Sequence, residues 1–450
     1  LFPDPENTTV FVPKATPTGA VAYGTPAPDD ASETLMTLVN AFVPPNNPLD
    51  LAKRLEGKGD IPKTVDQPLP NYQLGDRRSF WATNTDTNES FQIDASLEYI
   101  GDNIYFWIEK GVDYNPVSLK RLADTFDDEI YQTNREFFGS EWKPGIDGDP
   151  RIYVLYGGGL GWGIAGYFSS ADSINPLAHE YSNAHEMFFM NSDTIGLGEG
   201  FTYGVLAHEF QHMIHWYRDR NEETWLNEGF SELATFINGF DQGYFDYQFA
   251  ANPDLQLNDW PNDSSATTPH YGAAFMFVTY FLDRFGDDAT KAVVAEEENG
   301  MESIDAVLAR NNIIDPLTNE LVTADGLFTD WTLANFLMDS RIGDGRYFYS
   351  NYINAPRTNE TEVVEDCPLE WTARSVKQYG TDYISIRCNR DFTLEFQGSS
   401  QVGVIPQSAY SGKYMMWSNK GDESDMTMTR EFDFTQTQAP IEMSYWTWYD

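Results

Sequence analysis

His208-Glu209-Phe210-Gln211-His212 sets two imidazoles four residues apart with a carboxylate beside the first, and Trp225-Leu226-Asn227-Glu228-Gly229 brings a second carboxylate from downstream. On a helix, positions four apart share a face and lie about 6 Å apart along the axis, so both Nε2 atoms can reach one ion. Glu209 is rotated about 100° from His208 and reaches a water on the ion rather than the ion itself. Two His and one Glu hold a catalytic Zn²⁺ with its fourth position open, and the neighbouring carboxylate can take a proton from the activated water. All six histidines of the chain fall between positions 179 and 270, around this run.

His215 shares the helical face but lies about 10.5 Å along the axis from His208, too far for one tetrahedral ion. The alternative arrangement HExxHxxGxxH needs Gly at 215 and His at 218. Those positions hold His215 and Arg218, which leaves Glu228 as the third ligand and His215 as a packed helix residue. Glu232 follows Glu228 by one helical turn, placed to accept the Nδ1–H of a ligand His and fix its tautomer, and Asn227 is the adjoining candidate for the same support.

These ligands need a helix pair, and the chain supplies strands first and helices afterwards. Residues 1 to about 70 are rich in Pro, Thr and Asp, with short helices expected over 35–39 and 50–55, and read as an extended arm. From about 71 to 200 strands are expected at 79–83, 91–97, 104–108, 151–156 and 187–190, with an amphipathic helix over 117–138 and a glycine-rich rim loop over 157–163. Helical spacing then runs through 202–217, 225–239, 272–285, 287–297, 302–311 and 326–339. After about 345 strand signals return at 383–386, 392–396 and 414–417, which predicts an all-β, sandwich-like module over 346–450. The fold class is α+β, in two lobes with an appended module.

The formal charge of −42, from 28 basic and 70 acidic residues, excludes nucleic acid as a natural partner and disfavours anionic membranes. It suits an extracellular protein, high salt or bound Ca²⁺. Asp147-Gly148-Asp149 and 422–425 are candidate Ca²⁺ clusters, or plain acidic turns. No apolar run approaches the ~20 residues needed to span a bilayer. Cys367 and Cys388 are either a disulfide, which fits an oxidising compartment, or two unrelated buried thiols. The chain opens at Leu1-Phe2-Pro3 without Met and reads as a mature or trimmed product. It stops at 444–450 within an expected strand, which predicts a longer native protein. Gly157 to Gly163 lacks the Lys-Ser/Thr of a phosphate loop, and His179-Glu180 and His185-Glu186 read as loop surface.

His208-Glu209-x-x-His212 followed by Asn227-Glu228-Gly229-x-x-Glu232 resembles the gluzincin metallopeptidases, the broad group of thermolysin and aminopeptidase N. Residues 206–216 and 223–229 resemble secreted bacterial peptidases of the hyicolysin and immune inhibitor A type, with the likeness continuing at 166–168 and 186–191. Residues 417–430 resemble the β-module of immune inhibitor A-like proteins, whose third-ligand context differs, so the catalytic half stands nearer hyicolysin. The resemblance implies a two-lobed catalytic domain with the HExxH helix as floor of the cleft and a sheet edge binding extended substrate. It also implies Zn²⁺, water activated by Glu209, and an oxyanion donor from the helical lobe, for which Tyr271 and His270 are the candidates. The Gly-x-Met-Glu-Asn segment of aminopeptidase N is absent, which favours an endopeptidase. The expected function is therefore a secreted zinc endopeptidase acting on protein or peptide substrates, with cell-surface or polysaccharide contact through the β-module. The competing expectation is a non-catalytic surface or adhesion protein that keeps a zinc-stabilised fold.

Overall fold

Alternating large apolar residues from Arg77 onward build a six-stranded sheet with the strand order β1-β2-β3-β4-β6-β5. The strands are β1 (Arg77–Asn84), β2 (Glu89–Ile100), β3 (Ile104–Glu109), β4 (Ile152–Gly157), β5 (Gly166–Phe168) and β6 (Met187–Asn191). The computed structural model describes residues 44–240, 243–398, 407–418, 421–428 and 431–448, together with Met36 and Ala41. The first three strands form an antiparallel meander, β3, β4 and β6 run parallel, and β5 returns antiparallel to β6 as the edge. Parallel neighbours need a crossover, supplied between β3 and β4 by the helix α2 over 116–138. Asn115 caps α2 by accepting the N–H groups of Val117 and Ser118, with Pro116 at its first turn. A single π turn, Phe126–Ile130, interrupts it.

Both faces of the central strands are covered, so they read as continuous apolar runs rather than as alternation. Ile104, Phe106 and Ile108 of β3 enter the core shared with the helices. Tyr105 and Trp107 enter a smaller cluster with Phe80, Tyr153 and Phe189 on the opposite face.

The helices after the sheet are α3 (Gly200–Arg218), α4 (Thr224–Ile237), α5 (Phe245–Ala251), α6 (Thr268–Val293), α7 (Met301–Arg310) and α8 (Ala324–Leu337), with α1 (Pro48–Glu56) ahead of the sheet. The break expected at Gly286 appears as a kink inside α6, where φ is 77°. The short helix α5 escaped sequence reading because seven residues carry too few turns for a periodic signal. The helix expected over 35–39 lies outside the described residues except for Met36. None of the described helices is long and apolar enough to cross a membrane.

The chain divides into two compact units. The first, Val43–Asp391 with Lys420–Met426, holds the sheet and these helices. Residues 346–391 belong to it: Tyr383 donates to the Thr332 carbonyl at 2.6 Å and Tyr280 to the Arg346 carbonyl at 2.8 Å. Cys367 and Cys388 are joined as a disulfide. Two three-residue strands, β7 (Glu362–Val364) and β8 (Ile384–Ile386), pair in parallel there. The second unit comprises Leu1–Phe42, Phe392–Asn419 and Thr427–Asp450. Among its described residues there is no strand, so the strands expected at 392–396 and 414–417 are not formed. Strand propensity needs a paired neighbour and a buried face, and Phe396 and Tyr414 remain 89% and 75% exposed.

Candidate metal centre

α3 and α4 cross so that His208 and His212 on one face Glu228 on the other. His208 Nε2 lies 3.0 Å from His212 Nε2, and Glu228 Oε2 lies 3.2 and 3.4 Å from the two nitrogens. Gly229 lets this face sit close to α6: a Cβ there would come within 3.1 Å of the Ala274 carbonyl oxygen. The far side of each imidazole is also engaged. His208 Nδ1 is 3.1 Å from Glu232 Oε1, and His212 Nδ1 is 2.5 Å from Asn227 Oδ1. With protons on both Nδ1 atoms, two Nε2 lone pairs and a carboxylate oxygen converge with no hydrogen between them. Glu228 Oε2 is buried without a hydrogen-bond partner. Three mutually repelling donors at this spacing fit a bound cation, and the His₂Glu set suits Zn²⁺.

Burial raises the Glu228 carboxyl, but in the metal-free state protonated His212 and His208 outweigh it and hold the group well below the carboxylate range. Glu209 is 5% exposed. Burial pushes its carboxyl up, against His208, His212 and a hydrogen bond from the Phe168 backbone N–H. That N–H comes from β5, the edge strand, and a Cβ on Gly166 of the same strand would lie 3.5 Å from Glu209 Oε1. The edge, the two helices and Tyr271 line a cleft of about 370 Å³, with Asp422 and Glu423 also on its wall.

Tyr271 and His270 part company. Consecutive helical positions point about 100° apart, and Tyr271 lines the cleft with its ring 6.1 Å from that of His208. His270 does not line the cleft; its ring packs 6.0 Å from Trp260. The structure therefore brings together His208, Glu209, His212, Asn227, Glu228, Glu232 and Tyr271, and leaves His270 outside.

Sequence reading missed Ser231, whose Oγ lies 3.0 Å from His212 Nδ1 and donates to Gln211 Oε1 at 2.5 Å. Its position three residues after Glu228 on the same face was the available signal. The Phe168 N–H had no signal, because a backbone donor leaves no trace in residue types. Two loop readings also change. Gly157 to Gly163 does not line the cleft and is held down: the Gly158, Gly159 and Trp162 amides donate to Glu109, Asp193 and Asp86. His185 and Glu186 are buried, not surface; His185 Nδ1 lies 2.6 Å from Asp147 and its ring stacks on Tyr153. The loop tucks under the sheet, a long-range event invisible to local pattern. Asp149 meets Tyr105 and Arg151, Asp422 accepts from Thr224, and Asp425 pairs with Arg54, so these acidic turns have protein partners.

Over 274 residues the chain is 26% identical to the neutral metalloprotease ShpI of Staphylococcus hyicus, covering 55% of this chain and 60% of that protein. It thus spans about three fifths of that curated relative's length. A solved M1 zinc metallopeptidase from Deinococcus radiodurans matches over 63% of this chain and 62% of its own, at 12% identity. The TM-score of 0.29 is too low to bear on the fold. No protein-family model matches the chain.

Proposed function

We propose that this chain is an extracellular zinc-dependent endopeptidase, with His208, His212 and Glu228 as the metal ligands. The observation that carries the reading is the convergence of those three donor atoms within 3.4 Å, each imidazole anchored from behind, beside the buried carboxylate of Glu209. The likeness to a neutral metalloprotease supports it. When bound there, Zn²⁺ supplies Lewis acidity toward a substrate carbonyl and toward water.

The chain's own residues do the rest. An extended peptide pairs with the free edge of β5, which brings its scissile carbonyl over Glu209. Glu209 takes a proton from the attacking water as the oxygen bonds to the carbonyl carbon. It returns that proton to the leaving nitrogen as the C–N bond breaks. Tyr271 donates a hydrogen bond to the developing oxyanion. Asn227 and Glu232 accept the Nδ1–H groups and keep both Nε2 lone pairs on the ion. We extend the reading to a strand-rich lobe meeting a helical lobe at about residue 200, and to surface or polysaccharide contact through the region after residue 345.

A Glu209→Gln variant tests this. Casein hydrolysis should fall by about 10³-fold or more while zinc content stays unchanged, since Glu209 is not a ligand. A wild type that cleaves no protein at any pH would instead favour a zinc-stabilised binding protein.

A further inference from the structure

His215, set aside as a ligand of the first ion, belongs to a second convergence. One of its ring nitrogens and a carboxylate oxygen each from Asp219 and Glu222 all lie within 4.8 Å of one another. The three residues are 0%, 8% and 3% exposed. His215 Nε2, Asp219 Oδ2 and Glu222 Oε2 are all buried without any hydrogen-bond partner. A buried polar atom left unpaired is costly, and three on side chains clustered this closely call for an occupant.

The remaining polar atoms of these side chains are tied to the protein. Glu222 Oε1 accepts from the Gly300 and Glu223 amides at 2.7 and 2.6 Å, and Asp219 accepts from the Asn221 amide. His215 Nδ1 lies 3.4 Å from the Gln211 side-chain amide. Gln211 Oε1 accepts from Ser231 Oγ in this structure; a lone pair on Nε2 goes with the amide turned over, its nitrogen donating to Ser231 Oγ and its oxygen accepting the Nδ1 proton. Glu297 adds further negative charge around Asp219, as does Glu296, which is itself paired with Arg310. Free atoms too far apart for hydrogen bonds, yet within one coordination sphere, describe a cation site rather than an unfinished hydrogen-bond network.

We propose that His215, Asp219 and Glu222 bind a second divalent transition-metal ion of the Zn²⁺ class. The imidazole nitrogen argues against Ca²⁺, which takes six to eight oxygens. Asp219 caps α3 and Glu222 sits in the turn before α4, so the ion ties together the two helices that carry the first ligand set. Glu222 also lines the cleft, which gives the ion a route in.

The test is zinc stoichiometry by elemental analysis of the full chain, saturated with Zn²⁺ and then gel-filtered. The wild type should hold two equivalents, Asp219→Asn/Glu222→Gln one, and His208→Asn/His212→Asn one. A wild type whose single equivalent is lost in His208→Asn/His212→Asn, an Asp219→Asn/Glu222→Gln protein that holds as much zinc as the wild type, or calcium as the second metal each overturns the proposal. If the Asp219→Asn/Glu222→Gln protein does not fold, the wild-type count together with that of His208→Asn/His212→Asn decides. Loss of one equivalent in the latter reports on the first centre alone, so the two sites succeed or fail separately.

Discussion

Surrounded by Glu228, Glu232 and Glu209, the Tyr271 phenol is held well above its ordinary range, chiefly by burial and then by those carboxylates. It therefore keeps its proton and remains a donor throughout the working pH range. Tyr271→Phe should lower kcat by roughly 10²-fold with KM little changed, because the bond strengthens only as charge develops; steady-state kinetics on a peptide substrate will show it. A second buried acid acts on stability instead. Burial pushes Asp172 from 3.8 to about 7, against the Asn183 donors that hold it. The folded state thus favours the protonated form. Its contribution is full below about pH 4 and is lost as pH rises through about 7. Asp172→Asn keeps an oxygen for both Asn183 donors and removes the ionisation. It should be more stable than wild type at pH 8, by roughly 1–3 kcal/mol, and show little or no gain at pH 4–5, read from denaturant melts.

At the level of elements, glycines set how closely α6 approaches its neighbours. A Cβ on Gly272 would overlap the Phe245 carbonyl at the start of α5, and this contact is backbone, which cannot swing aside. Gly272→Ala should cost roughly 1–3 kcal/mol and displace Tyr271 next to it, lowering both Tm and activity. Gly200 opens α3, and a Cβ there would meet nothing within 4 Å. Gly200→Ala should leave both within error or raise Tm slightly. Equal losses in the two variants would show that helix packing is not what Gly272 protects.

For the molecule as a whole, 70 acidic against 28 basic residues means that repulsion opposes folding at low ionic strength. Some of it is relieved locally, as where Arg346 meets Asp315, Asp330 and Asp344. Most of the excess has no such partner, because acids outnumber bases by more than two to one. Raising NaCl from about 0.01 to 0.5 M should therefore raise Tm by several degrees through screening. A fall in Tm over that range would show that the specific ion pairs outweigh the long-range repulsion.

The order of strands and helices, the ends of α3 and α4, the kink at Gly286 and the convergence of His208, His212 and Glu228 with Asn227 and Glu232 beside them were legible in residue types and spacing. Each depends on a local rule: helical period, a capping side chain, or a glycine. What the local pattern did not contain was decided by distant chain. Only tertiary packing turned Tyr271 into the cleft and left His270 outside it, buried His185 and Glu186 under the sheet, and left 392–396 without a strand partner. The opening histidine run shows the division most clearly. Helix geometry alone separated His215 from His208 and His212. That His215 then meets Asp219 and Glu222 depends on how the chain turns after α3, and turn geometry is set by what the next helix packs against.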